Sequence, residues 1–218
     1  ELTMPTWDVL IAFFGVAVLL GLSPGPDNLF VLVQSAQRGW RVGLCVVLGL
    51  SLGIVGHTVA VALGLAAVVA ASPMLFTALK LCGAAYLAYL AWGAWRAPVS
   101  VTEGAQAQAE RDVLTLKTAM GWVGRGVVMN LTNPKVLIFF LAFLPQFADP
   151  ARGSVGLQVM ALGCVFMLAT LLVFGSIACG SGLFGQILQR SARAQRWLNR
   201  IAATVFGALA LRLVMVQR

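Results

Sequence analysis

Two residues in this chain carry charge where charge is expensive. Asp27 follows Pro24-Gly25-Pro26, and Lys135 follows Asn133-Pro134; both lie inside long apolar runs. Proline removes a backbone donor and frees a carbonyl one turn earlier. Two prolines flanking Gly25 cannot continue an ordinary helix, so the helix is expected to stop near Ser23 and restart near Asp27, with Asp27 and Asn28 at the new N-terminus. Asn133 is a good N-cap and Pro134 suits a first helical turn. Lys135 is then oddly placed, because a cation at a helix N-terminus opposes the helix dipole. It asks for an anion, either Asp27 or the carboxylate of a ligand. A carboxylate, an ammonium and the amide ends of two half-helices could hold a zwitterion, with Asn28, Asn130 and Asn133 as neutral polar lining. The plainer alternative is a pair of proline kinks with local caps. Two kinks at matching places, with opposite charges beside them, favour function, since ionisable groups at membrane depth are costly unless used.

Other residues invite a lesser role. His57 is the only histidine; it could relay protons or donate to a carbonyl of a broken helix. Lys80 could line the pathway or let its amine snorkel to the interface. Gly49, Gly53 and Gly56 share a helical face and read as close helix packing. Trp7, Trp40, Trp92, Trp95, Trp122 and Trp197 fall near span ends and read as interfacial anchors. Cys45, Cys82, Cys164 and Cys179 lie in apolar runs, form no C-x-x-C pair and read as small buried hydrophobes. Gly180-Ser181-Gly182 superficially suggests a nucleophile turn, but it lies at the opposite end of a different repeat from His57. No Walker loop is present, and no His, Cys and carboxylate cluster suggests a metal site. No cofactor is therefore expected.

The elements that position these residues follow from composition. Of 218 residues, 60% are hydrophobic and 10% charged, against about 25% charged in soluble domains. This excludes a soluble globular domain and a disordered chain. The net charge of +8 follows from membrane topology and does not indicate nucleic acid. Apolar stretches at roughly 8–36, 42–70, 75–95, 119–146, 156–183 and 197–215 predict six spans of about 20 residues or more. The first lacks a basic leader and a cleavage site, and is expected to stay as a span. Glu1-Leu2-Thr3 precede Met4 and are set aside.

With the N-terminus outside, ten of the fifteen cations fall on inner loops: Arg38, Arg41, Arg96, Arg111, Lys117, Arg125, Arg190, Arg193, Arg196 and Arg200. Arg152, Arg212 and Arg218 fall outside. The positive-inside rule then places both termini on the periplasmic side. The chain divides into repeat one at 7–96, a polar linker at 97–117 and repeat two at 118–216, within one transmembrane domain. Each repeat opens with a broken span. Three spans per repeat is an odd number, so the second repeat is inverted, a plan common among secondary transporters.

Several motifs together resemble a known family. They are Pro24-Gly25-Pro26-Asp27, Gly39 to Gly43 with Arg41, Gly49-x-x-x-Gly53, Leu79-Lys80-x-x-Gly83-Ala84-x-Tyr86-Leu87, Asn133-Pro134-Lys135 and Phe143-Leu144-Pro145-Gln146-Phe147. The set resembles the lysine and homoserine–threonine exporters (LysE/RhtB type) of bacterial inner membranes. The resemblance covers nearly the whole chain. It implies efflux of amino acids, exchange for protons, no nucleotide and a homodimer.

The resulting expectation is an all-α membrane protein of six transmembrane helices in two inverted three-helix repeats, the first and fourth helices broken at proline. It would export a small or neutral amino acid such as threonine or homoserine. Asp27, Asn28, His57, Lys80, Asn130, Asn133 and Lys135 are the candidate substrate-binding residues, and Pro24, Gly25, Pro26 and Pro134 make the breaks. Rocking of one repeat against the other would expose the site alternately. The rivals are a cation or metal exporter of the same architecture, an intramembrane enzyme and a structural scaffold.

Overall fold

A computed structural model describes residues 4–23, 25–71, 73–96, 114–180 and 191–215. Pro24, most of the linker, Ser181, Gly182, Arg190 and Arg218 lie outside these residues, as do the side chains of Lys80 and Arg212. The described chain is helical. Its elements are α1 (Trp7–Leu22), α2 (Pro26–Arg38), α3 (Trp40–Ala71), α4 (Pro73–Arg96), α5 (Leu116–Thr132), α6 (Pro134–Ile138), α7 (Val155–Cys179) and α8 (Ala192–Met215). The α6 segment runs on through a π-helical turn at Phe139–Phe143 and a 3-10 turn at Leu144–Phe147.

Trp40–Gly64 and Val155–Cys179 are long and apolar enough to cross a bilayer. The pairs α1–α2, bent by 63°, and α5 with Pro134–Phe147, bent by 53°, qualify as broken spans. Both bends sit where proline interrupts the apolar runs. On α3, Leu48, Leu52, Val55, Val59 and Leu63 form an exposed stripe at helical spacing, the face that lipid covers. Cys82, Cys164 and Cys179 are likewise exposed and only Cys45 is partly covered. The cysteines are therefore not buried, because in lipid a small apolar side chain gains nothing by turning inward.

The α5 start lies at Leu116, two residues ahead of the expected repeat boundary. Thr115 explains it: its hydroxyl accepts from the Thr118 amide while the Thr118 hydroxyl accepts from the Thr115 amide. This reciprocal box closes two orphan donors.

The helix α3 packs on α5 and α7, α1 packs on α7, and α4 packs on α8. Exchanging the two halves of the chain maps this set of pairings onto itself. Glycine decides how close α3 and α5 come. A Cβ on Gly49 would strike the Val123 carbonyl oxygen and stand 2.8 Å from Gly126 Cα; one on Gly126 would strike the Val46 carbonyl oxygen and stand 2.9 Å from Gly49 Cα. Such backbone contact replaces the hydrophobic driving force that lipid does not supply.

Two apolar clusters fill the bundle. One is rich in aromatics, with Phe13, Phe139, Phe140, Phe143 and Phe166, and extends along α4 and α8. The other, with Val31, Val46, Leu50, Trp122 and Phe174, lies at the arginine-rich end. Trp122 corrects an expectation. It is buried, with the Arg125 and Arg38 guanidinium groups 4.3 and 5.2 Å from its ring centre. It is a core residue clamped by cations, whereas Trp7, Trp40, Trp92, Trp95 and Trp197 are exposed as anchors should be.

Candidate functional site

Both helix breaks lie in one buried polar layer. Ser23, Asp27, His57, Asn130, Asn133 and Lys135 are all buried there. In lipid each freed backbone group must find a partner inside the protein, so the layer can be read as an account of carbonyls and amides.

At the first break α1 ends at Leu22, Ser23 is extended, and α2 restarts at Pro26 behind Gly25. Three carbonyls at the end of α1, and that of Ser23, find donors. Leu19 accepts from the Ser23 amide at 2.9 Å. Gly21 accepts from Asn28 Nδ2 at 2.6 Å. Leu20 and Ser23 both accept from Lys135 Nζ, at 3.0 and 3.2 Å. The apparent misplacement of Lys135 is thereby resolved. Its backbone begins α6, but its ammonium reaches the negative, carbonyl end of α1, where a cation is favourable. Gly25 keeps this route open: a Cβ there would lie 3.0 Å from Lys135 Nζ.

At the second break α5 ends at Thr132 and Asn133 is extended. Asn133 Oδ1 accepts from the Lys135 amide at 2.9 Å, capping α6 as expected. Its Nδ2 donates to Asp27 Oδ2 at 2.8 Å. The carbonyl of Asn130 accepts from the Asn133 amide at 3.1 Å and from His57 Nε2 at 3.2 Å. A carbonyl only accepts, so His57 carries its proton on Nε2 here. The imidazole therefore takes the second of its two expected roles, donor to a broken helix, and its ring lies 5.6 Å from that of Phe140. His57→Ala is expected to cost about 1 kcal/mol, because the Asn130 carbonyl keeps one donor. His57→Gln should recover most of it; thermal unfolding in detergent checks both.

The first break is thus closed in part by Lys135 of the second, and the side chains of Asp27 and Asn133 join the two. Asp27 and Lys135 form no direct ion pair; Asn133 stands between them, bonded to the carboxylate by its side chain and to the Lys135 backbone. Among the described residues, three buried acceptors in the breaks have no partner: Asp27 Oδ1, Asn28 Oδ1 and Asn130 Oδ1. At the helix starts, α6 is capped by Asn133 whereas α2 has no side-chain cap. The site therefore offers unmet acceptors and one uncapped helix N-terminus. Lys80 lies on α4, and its side chain is outside the described residues.

Gly53 was legible only as a packing residue, yet a Cβ there would lie 2.6 Å from Asn130 Oδ1. It shapes the site by pressing α3 against Asn130. The π-turn at Phe139–Phe143 left no readable signal. Gln158, fully buried, exchanges two hydrogen bonds with the backbone of Asp149, at 2.8 and 3.0 Å, and pins the loop after the second broken span. That pairing joins residues of different elements and has no local signature.

Two broken helices meeting in a buried polar layer point to an integral membrane protein of the transporter kind. The chain belongs to the LysE type translocator family, whose model matches residues 18–217. It is accordingly a transporter and not an enzyme. It is 31% identical over 201 residues to an uncharacterised membrane protein of Vibrio cholerae, covering 91% of this chain and 92% of the relative. It is 37% identical over 174 residues to an uncharacterised membrane protein of Pseudomonas aeruginosa, covering 78% and 77%. It is 31% identical over 173 residues to the homoserine/homoserine lactone efflux protein of Salmonella typhimurium, covering 79% and 80%. No solved structure matches the chain.

Proposed function

We propose that this translocator exports a small neutral amino acid, of the homoserine or threonine type, across the bacterial inner membrane in exchange for protons. The observation that carries this reading is the unpartnered Oδ1 of buried Asp27, beside an α2 N-terminus without a side-chain cap. The substrate ammonium meets Asp27 Oδ1, with Asn28 and Asn130 as neutral acceptors. The substrate carboxylate meets the first-turn amides of α2, where the helix dipole favours an anion. Lys135 contributes its field and holds α1 in place, since its ammonium is engaged by carbonyls.

Asp27 also accounts for coupling. One carboxylate holds either the ammonium or a proton, so each displaces the other and exchange follows. The two halves act as inverted repeats that rock about the polar layer, with both termini periplasmic. The cation asymmetry and the interchangeable helix pairings support this arrangement. The relative named for homoserine and homoserine lactone efflux supports the substrate class.

A metal or cation exporter fits less well. Among the described residues no three His, Cys, Asp or Glu side chains come together, and one carboxylate with two amides suits a monocation such as an ammonium. Thermal shift across an amino-acid panel, followed by counterflow in proteoliposomes, tests the reading. Stabilisation and counterflow by a small neutral amino acid are expected. Stabilisation by a metal ion alone, with no amino acid active in counterflow, would overturn it.

A further inference from the structure

Apart from the polar layer, the molecule carries a second built feature on the surface of α4 and α8. We propose that it holds one anionic phospholipid, with the phosphate on an arginine cluster and an acyl chain in the groove below. The head site is a cleft of about 190 Å³ lined by Arg193, Arg196, Trp197 and Arg200. The tail site is an open groove of about 380 Å³ between α4 and α8. Its floor is made of small residues, Ala88, Ala203, Gly207 and Ala210, and Trp92 and Trp95 stand at its arginine end.

The two sites adjoin through Arg200 and Trp95. Arg200 lines the cleft and also stands 5.9 Å from the Trp95 ring centre, while Arg96 lies 4.2 Å over Trp92. From Arg200 to Ala210 the helix runs about 15 Å, which is half of a hydrocarbon core of about 30 Å. A charged cluster at the water boundary above an apolar groove one leaflet deep has the dimensions of a single phospholipid. The charge fits too. Among the described residues the carboxylates are Asp8, Asp27 and Asp149, at the opposite end or at the breaks. No described carboxylate thus neutralises the cluster, and basic pockets between membrane helices are recognised lipid-headgroup sites.

A second copy of the chain is a poorer occupant. Copies in one membrane share an orientation, so a two-fold contact on this face would bring their arginine clusters together.

The test uses purified full-length protein in detergent, with phosphatidylglycerol, phosphatidylcholine and inorganic phosphate as separate additions. Thermal unfolding and native mass spectrometry are the readouts. Phosphatidylglycerol is expected to stabilise and to remain bound at one molecule per chain, whereas phosphatidylcholine and phosphate should do neither. Replacing Arg193, Arg196 and Arg200 together by Gln should weaken retention about 100-fold, at roughly five-fold per arginine. Gly207→Leu keeps every charge and fills the groove, because a Cβ at Gly207 meets nothing within 4 Å. It should also release the lipid while leaving the melting temperature of the lipid-free protein unchanged. Equal retention of phosphatidylcholine, unchanged retention in either variant, or conversion of a dimer to a monomer by Gly207→Leu would overturn the proposal.

Discussion

Asp27→Asn is expected to lower amino-acid efflux from loaded vesicles by roughly 10- to 100-fold while the protein still inserts and folds. The carboxylate is buried, accepts one bond from Asn133 and keeps one oxygen unmet. Asparagine has the same shape and can still accept from Asn133, so the layer survives. What it loses is the charged acceptor for an ammonium and the proton-carrying group. A charge-assisted hydrogen bond contributes about 1.5–3 kcal/mol, which sets the factor. Lys135→Ala should also depress efflux, but by another route. It strips the donor from the Leu20 and Ser23 carbonyls, and two orphaned carbonyls cost about 1–3 kcal/mol each. A lower melting temperature is therefore expected for Lys135→Ala and not for Asp27→Asn. If both variants exported at the parental rate, the site assignment would fail.

The second large effect concerns no charge at all. Gly126→Val should destabilise the folded protein by about 3 kcal/mol or more, because the added atoms meet the α3 backbone at Val46 and Gly49 and the helices must part. Gly49→Val should behave alike. The double variant should cost less than the sum, since the first separation makes room for the second side chain. Gly124→Ala supplies the control on the same helix. A Cβ there meets nothing within 4 Å, so alanine should be neutral or stabilising by up to about 1 kcal/mol, following helix propensity. Thermal unfolding of the set separates contact from propensity; equal losses at Gly124 and Gly126 would contradict the packing described here.

Much of this was open to reading along the chain. Charge scarcity, long apolar runs and proline placement are local properties, and each has a direct cost in lipid. They determined an all-helical membrane protein, the positions of both breaks within a few residues, and the N-cap role of Asn133. The same reasoning marked Asp27 and Lys135, because a buried charge is rare wherever it is unused. It failed where neighbours depend on the fold. Trp122 has the composition of an interfacial anchor but is enclosed by Phe30, Arg38 and Arg125.

The deepest difference lies at Lys135. Its sequence position, at a helix start, sets it against the dipole, and only the tertiary structure decides that its long side chain crosses to the end of α1. There it meets the Leu20 and Ser23 carbonyls, which the break leaves without helical donors. The sequence by itself determined that the backbone must break twice and that the freed groups must be satisfied within the protein. Only the tertiary structure decided that the first break is closed from the second, because hydrogen bonds between residues 106 to 115 positions apart are set by helix packing and leave no local trace.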